Sequence, residues 1–151
     1  MAEEHGTHER AVTLVEEAID RLGIDHVKAR GQVDARSSQW ALRRGSARIA
    51  IVIHRGEGSQ PGTLRVASPV IAVPEPSHRL ALYQHLLELN ARELVGAAFG
   101  VLGDEVVVVT ERSVADLNGS EVDAAIHGVG RIADTYDDAL ASRFGAKRAS
   151  D

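Results

Sequence analysis

Trp40-Ala41-Leu42-Arg43-Arg44-Gly45-Ser46-Ala47-Arg48-Ile49-Ala50-Ile51-Val52-Ile53 decides the fold. Its side chains alternate with a period of two, the period of a strand and not of a helix. Trp40 and Leu42 alternate with Ala41 and Arg43. Gly45 and Ser46 fall where a tight hairpin needs permissive backbone. Ile49, Ile51 and Ile53 share one face, while Arg48, Ala50, Val52 and His54 share the other.

Working outward, Leu64 to Val73 reads as another strand. Pro69 lacks a backbone donor, which predicts a bulge or an edge there. A weaker strand is expected over Val27 to Val33. Two short loops, Arg55 to Gly62 and Val73 to Ser77, punctuate the region without dividing it. Ahead of it, a helix is predicted from Thr7, as its N-cap, to Gly23, as its left-handed stop. Val12, Val15, Ala18, Ile19 and Leu22 form its apolar stripe. A second helix covers about Ser77 to Asn90, where Leu80, Leu82, Tyr83, Leu86, Leu87 and Leu89 fill an arc of roughly 180°. That arc is wider than a helix lying on one sheet requires. A hairpin follows, from Val95 to Leu102, through Gly103-Asp104, to Glu105–Glu111. Its four consecutive valines read as a strand buried on both faces. The last helix runs from Ser120, with Asp123 in the capping-box position, to Phe144, with Gly145 as its stop.

The predicted order is α-β(3-4)-α-β-β-α. Hairpin-joined strands with interleaved helices make an α+β fold, an antiparallel β-sheet packed with helices. The 151 residues fit a single domain with a core from about 7 to 145 and mobile ends.

The composition narrows the chemistry. There is no cysteine, so neither thiol catalysis nor a cysteine metal site is available. No apolar run approaches the roughly 20 residues of a membrane span. Met1 to His8 is polar and has none of the features of a signal peptide, so a cytoplasmic location is expected and no membrane contact. His85 and Glu88 stand three apart on a helix, two turns after His78, and could supply two ligands, but no partner pair at ligand spacing stands elsewhere, so no metal and no cofactor is expected. Gly56-x-Gly58 and Gly128-x-Gly130 fail to complete a phosphate-binding motif; the second pair falls inside a helix and reads as a site of close packing. No serine stands in a nucleophile elbow, and no catalytic residue is assigned.

Charge is unevenly spread. The net charge of -5 conceals residues 26–55, which hold seven bases and one acid. Arg43, Arg44 and Arg48 are candidates for steering an acidic partner segment, and the same region supports the alternative of a regulator binding an anionic ligand or nucleic acid. Aromatics are only 3% of the chain, and Trp40 is the only one in that region, which argues against base stacking.

Several short motifs, in order, resemble the YbjN family, whose fold is like that of type III secretion chaperones. They are Leu86-Leu87-Glu88-Leu89-Asn90, then Phe99-Gly100 and Gly103-Asp104 before an apolar strand, then Ala133-Asp134-Thr135-Tyr136-Asp137-Asp138-Ala139-Leu140 and Arg143-Phe144-Gly145. Trp40, the isoleucine strand and Val73-Pro74 fit the same order upstream. The resemblance spans about Thr7 to Gly145. It implies a sensory-transduction regulator or chaperone-like protein, and a homodimer that binds extended segments of a client protein or peptide. No catalytic residue carries over. Asn90, Asp134, Tyr136 and Asp137 carry over as motif positions, with Asn90 expected to end its helix in the left-handed conformation. The Arg-rich, Ala-rich composition points to a high-GC bacterial source.

The expectation is therefore a non-enzymatic, chaperone-like or adaptor protein that meets its partner through apolar surface. Leu82, Leu86 and Leu89 from the second helix, with Ile49, Ile51 and Ile53 from the sheet, are the candidate contacts.

Overall fold

The computed structural model describes residues 2–151. The elements run α1 (Ala2–Arg21), α2 (His26–Ala29), β1 (Arg30–Val33), β2 (Ser37–Arg44), β3 (Ala47–His54), β4 (Thr63–Ala72), α3 (Pro76–Arg92), β5 (Ala98–Leu102), β6 (Glu105–Ser113) and α4 (Gly119–Phe144). The strands form one six-stranded antiparallel sheet in the order β1-β2-β3-β4-β6-β5. The fold is the expected α+β class, with the single turn of α2 added where an extended start at Val27 was expected.

The isoleucine strand settles which side of the sheet is inside. Trp40 and Leu42 of β2, Ile49, Ile51 and Ile53 of β3, Leu64 and Val66 of β4, and Val106 and Val108 of β6 are all buried. They join the apolar stripes of α1, α3 and α4 in one core. α4 is the central cover and crosses β3, β4 and β6. Gly130 permits that approach, because a methyl there would press on Ile49 Cδ1 at 3.2 Å. The glycine pair in this helix is thus used for packing at its second member.

Four local expectations change. α1 begins five residues before Thr7, whose hydroxyl donates to the Glu3 carbonyl within the helix and does not cap it. Its buried face gains His8 and Ala11, while Leu22 is exposed. α4 is capped by Asn118 with Glu121, a capping box two residues before the expected Ser120 and Asp123 pair. Arg112 beside Glu121, with the Asn118 amide, lowers that carboxyl's pKa. Asn90 lies inside α3 and does not end it.

Pro69 sits in an inner strand but past the end of its pairing with β3, so it marks both a bulge and a local edge. The β4–β6 register shifts between Pro69 and Ile71. The β3–β4 register ends at Ala50 opposite Ala67, two residues short of the proline. The four valines are split by the pleat. Val106 and Val108 face the helices, Val107 is buried on the opposite face beside Pro69, and Val109 is half-buried there.

Candidate partner-binding surface

The wide arc of α3 resolves into two stripes. Leu82, Leu86 and Leu89 lie within about 60° of one another on the helix wheel. All three are buried. Leu80 and Leu87 lie on the far side of the arc and are 80% and 66% exposed. The six apolar residues expected to meet a partner (Leu82, Leu86, Leu89, Ile49, Ile51 and Ile53) are core of this protomer. That corrects the expectation, and the reason is periodicity. Regular spacing finds the face that packs, and within one chain that face is already covered.

The sheet face opposite the helices is the one left open. Its registers form a row of small apolar side chains across five strands: Ala41 opposite Ala50, Ala50 opposite Ala67, Ala67 opposite Val109, and Val109 opposite Ala98. Ala41 and Ala50 are exposed, and Ala67, Val109 and Ala98 are half-buried. A parallel row runs Gln39, Val52, Arg65 and Glu111, closed by the Arg65–Glu111 ion pair at 3.4 Å. On the other side stand Arg43 opposite Arg48, then Pro69, Val107 and Gly100. The result is a smooth apolar band with charged margins. Side chains this short let a second backbone come close.

The three arginines expected to steer a partner divide between the two faces. Arg43 is exposed at the band's margin and, among the described residues, makes no ion pair. Arg48 shares that face but is held by Glu105 at 3.6 Å and donates to the Ala149 carbonyl at 3.0 Å. Arg44 turns the other way, its stem against Gly130 of α4. Other bases of the 26–55 segment meet the protein's own acids: Arg30 and His26 face Glu16, His26 pairs with Asp20, and Arg36 with Glu57.

Three of the four motif residues, Asn90, Asp134 and Tyr136, fasten elements together. Asn90 accepts from the Phe99 N–H at 2.8 Å and donates to its carbonyl at 3.1 Å, which ties α3 to the first residues of β5. Asp134 accepts from the Ser46 hydroxyl at 2.8 Å and pins the β2–β3 turn to α4. Tyr136 donates to Glu93 at 3.0 Å and meets Phe99 edge-on. Burial and the neighbouring carboxylate raise its phenol pKa. Asp137 is buried and accepts from the Asp138 amide at 2.7 Å. These roles need the tertiary structure. Nothing in their spacing marks them as clasps.

A cleft of 420 Å³ lies between α1, the β3–β4 loop and the loop after β6. His8, His54, Arg55, Gln60 and Asp116 are among its lining residues. His8 is buried, with Nε2 3.2 Å from the Ser38 hydroxyl and, among the described residues, no partner for Nδ1. Among the described residues no group of three His, Asp or Glu side chains is placed to hold a metal ion. None of the described helices is long and apolar enough to cross a membrane.

This open-faced sheet with helices on one side is a fold shared with chains of two solved complexes. A chain of the ExsC-ExsE complex superposes with a TM-score of 0.57 at 14% identity, covering 87% of this chain and 94% of that one. A chain of the HopA1-SchA chaperone-effector complex does so at 0.54 and 10% identity, covering 85% and 93%. The fold is thus type III secretion chaperone-like. Residues 11–142 match the sequence pattern of the YbjN family, described as "Putative bacterial sensory transduction regulator", and the chain belongs to that family. No curated protein matches the chain in sequence.

Proposed function

We propose that this chain is a non-enzymatic, chaperone-like adaptor of the bacterial cytoplasm that binds an extended segment of a partner protein on the open face of its sheet. The observation that carries the reading is the row Ala41, Ala50, Ala67, Val109 and Ala98, apolar across five strands and uncovered by any described helix. Monomers seldom leave contiguous apolar surface uncovered without a use for it. Non-directional apolar contact suits a partner of variable sequence. The margin supplies Arg43 for steering an acidic stretch. The fold's likeness to chains from a chaperone-effector complex supports the same reading.

The chain works as a homodimer in this proposal, joined through the stripe of Leu80 and Leu87 and the neighbouring edge strand β5, where Val101 and Leu102 are also exposed. This arrangement keeps the open face free for the client. The internal ion pairs of residues 26–55 weigh against nucleic acid as the partner.

The test is titration of a permanently unfolded model polypeptide, such as reduced and carboxymethylated α-lactalbumin. Ala50→Glu is expected to weaken binding at least about tenfold, about 1.4 kcal/mol. Circular dichroism should stay unchanged, since Ala50 packs against no helix. Equal binding by the two proteins, or none by either, would sink the proposal.

A further inference from the structure

We propose that the edge of β4 from Val70 to Ala72 is a strand-docking site, which residues Lys147–Ala149 occupy in cis and an extended partner segment with a basic residue takes over. The inference rests on the partner-binding reading above and adds a second place of contact, with a different chemistry.

The edge exists because β3 stops early. Its register with β4 ends at Ala67. β4 continues past the Pro69 bulge, paired with β6 on its other side as far as Ala72 opposite Glu105. The side left by β3 would expose backbone donors and acceptors, which invites another strand. The segment after α4 fills it. Ala72 N–H donates to the Lys147 carbonyl at 2.8 Å, and Ala149 N–H donates to the Val70 carbonyl at 3.0 Å. Between these bonds Arg148 stands opposite Ile71 in an antiparallel bridge.

Two side chains read the occupant. Arg148 lies on the helix side of the sheet and donates to Asp138 of α4 at 2.8 Å. That carboxylate is 79% exposed, so a basic residue arriving from solvent can reach it. From the opposite face Arg48 donates to the Ala149 carbonyl at 3.0 Å. The site therefore selects an extended backbone and a central cation. Lys147-Arg148-Ala149 is one sequence that satisfies these demands. Neither Asp138 nor Arg48 depends on that sequence being covalently attached.

The edge also continues into the proposed binding face. Beside it lies a groove of 550 Å³ whose lining includes Ala41, Arg43, Arg48, Ala50 and Pro69. A partner strand that displaced the internal segment would run from the edge toward the alanine row. Addition of a strand to a sheet edge gives affinity through the main chain and selectivity through the few side chains that are read. The internal segment has the advantage of attachment, so it holds the site until a partner of higher affinity or local concentration arrives.

The experiment uses the full chain, the variant Arg148→Glu, and a labelled synthetic peptide spanning residues 145–151. Arg148→Glu places like charges together at Asp138 and should release the segment. Exchange of the Ala72 amide should accelerate, and anisotropy should show the peptide binding the variant at least about tenfold more tightly than the intact chain. Saturating peptide should restore protection at Ala72. Should Arg148→Glu fail to fold by circular dichroism, Arg148→Gln takes its place. Unchanged exchange at Ala72, or equal peptide affinity for the two chains, overturns the proposal. So does a variant that pairs with its own second copy through the freed edge, seen by light scattering. The peptide reports only on the edge and Ala50→Glu only on the open face, so failure of one is distinguishable from failure of the other.

Discussion

Asn90 shows how much one side chain can hold in place. It satisfies both backbone groups of Phe99 at the start of a strand that has a neighbour on one side only. Asn90→Ala would leave a half-buried donor and acceptor unpaired, which costs about 1–3 kcal/mol. Denaturant unfolding should show a lower midpoint with an unchanged slope, and a midpoint within error of the parent would refute the role. His8 makes a second prediction at this scale. Burial first, and then Arg55 and His5 nearby, lower its pKa in the folded chain, while Glu9 acts in the opposite sense. The unfolded chain therefore binds a proton at higher pH than the folded one. Stability rises with pH wherever the unfolded state holds more protons. This contribution is intact above the unfolded value near 6.5 and is lost as pH falls through it toward the lower folded value. Melting temperatures measured from neutral to mildly acidic pH should fall more steeply for the parent than for His8→Gln. Parallel curves would remove His8 from the account. His26 titrates in the opposite sense. Its pKa is raised, chiefly by its hydrogen bond with Asp20, so its contribution is present at low pH and lost as pH rises through the folded value.

At the scale of elements, sequence periodicity foretold more than it could assign. The alternation around Gly45-Ser46 gave the β2–β3 hairpin and placed Ile49, Ile51 and Ile53 on one face, as found. The excess width of the α3 arc was also readable, and Leu80 and Leu87 are its exposed part. Which third of the arc is buried depends on where β5 returns, and no local pattern encodes that. The start of α1 was missed because its first residues are polar and lack an apolar stripe. The alanine row was missed for a different reason. Ala41, Ala50, Ala67, Val109 and Ala98 are unremarkable within their own strands and become a surface only through register across five of them. Likewise Asp134 and Tyr136 stood out as motif residues, but their partners Ser46 and Glu93 are distant in sequence. Asn118→Ala removes the cap of α4 and should cost about 1 kcal/mol. Chemical denaturation reads that loss directly, and no loss would contradict the capping geometry. Leu80→Glu with Leu87→Glu should convert the proposed dimer to a monomer in size-exclusion chromatography with light scattering. The folded spectrum should stay, because both side chains already face solvent. A dimer that survives both substitutions would place the contact elsewhere.

The whole molecule is a single sheet with its helices gathered on one side. That asymmetry gives the proposed partner-binding role its place. The covered face, with α1, α3 and α4 packed on it, supplies the stability. The open face is built from alternate residues of the same strands, so its position is fixed by the core without taking part in it. A surface arranged this way can change its side chains with little effect on folding, as suits a partner-binding role. The most direct test is methyl NMR of the intact protein titrated with the unfolded model polypeptide. The account predicts shifts concentrated at Ala41, Ala50, Ala67, Ala98 and Val109, with the Ile49, Ile51 and Ile53 methyls unmoved. Shifts confined to Leu80 and Leu87, or no shifts at any concentration tried, would contradict it.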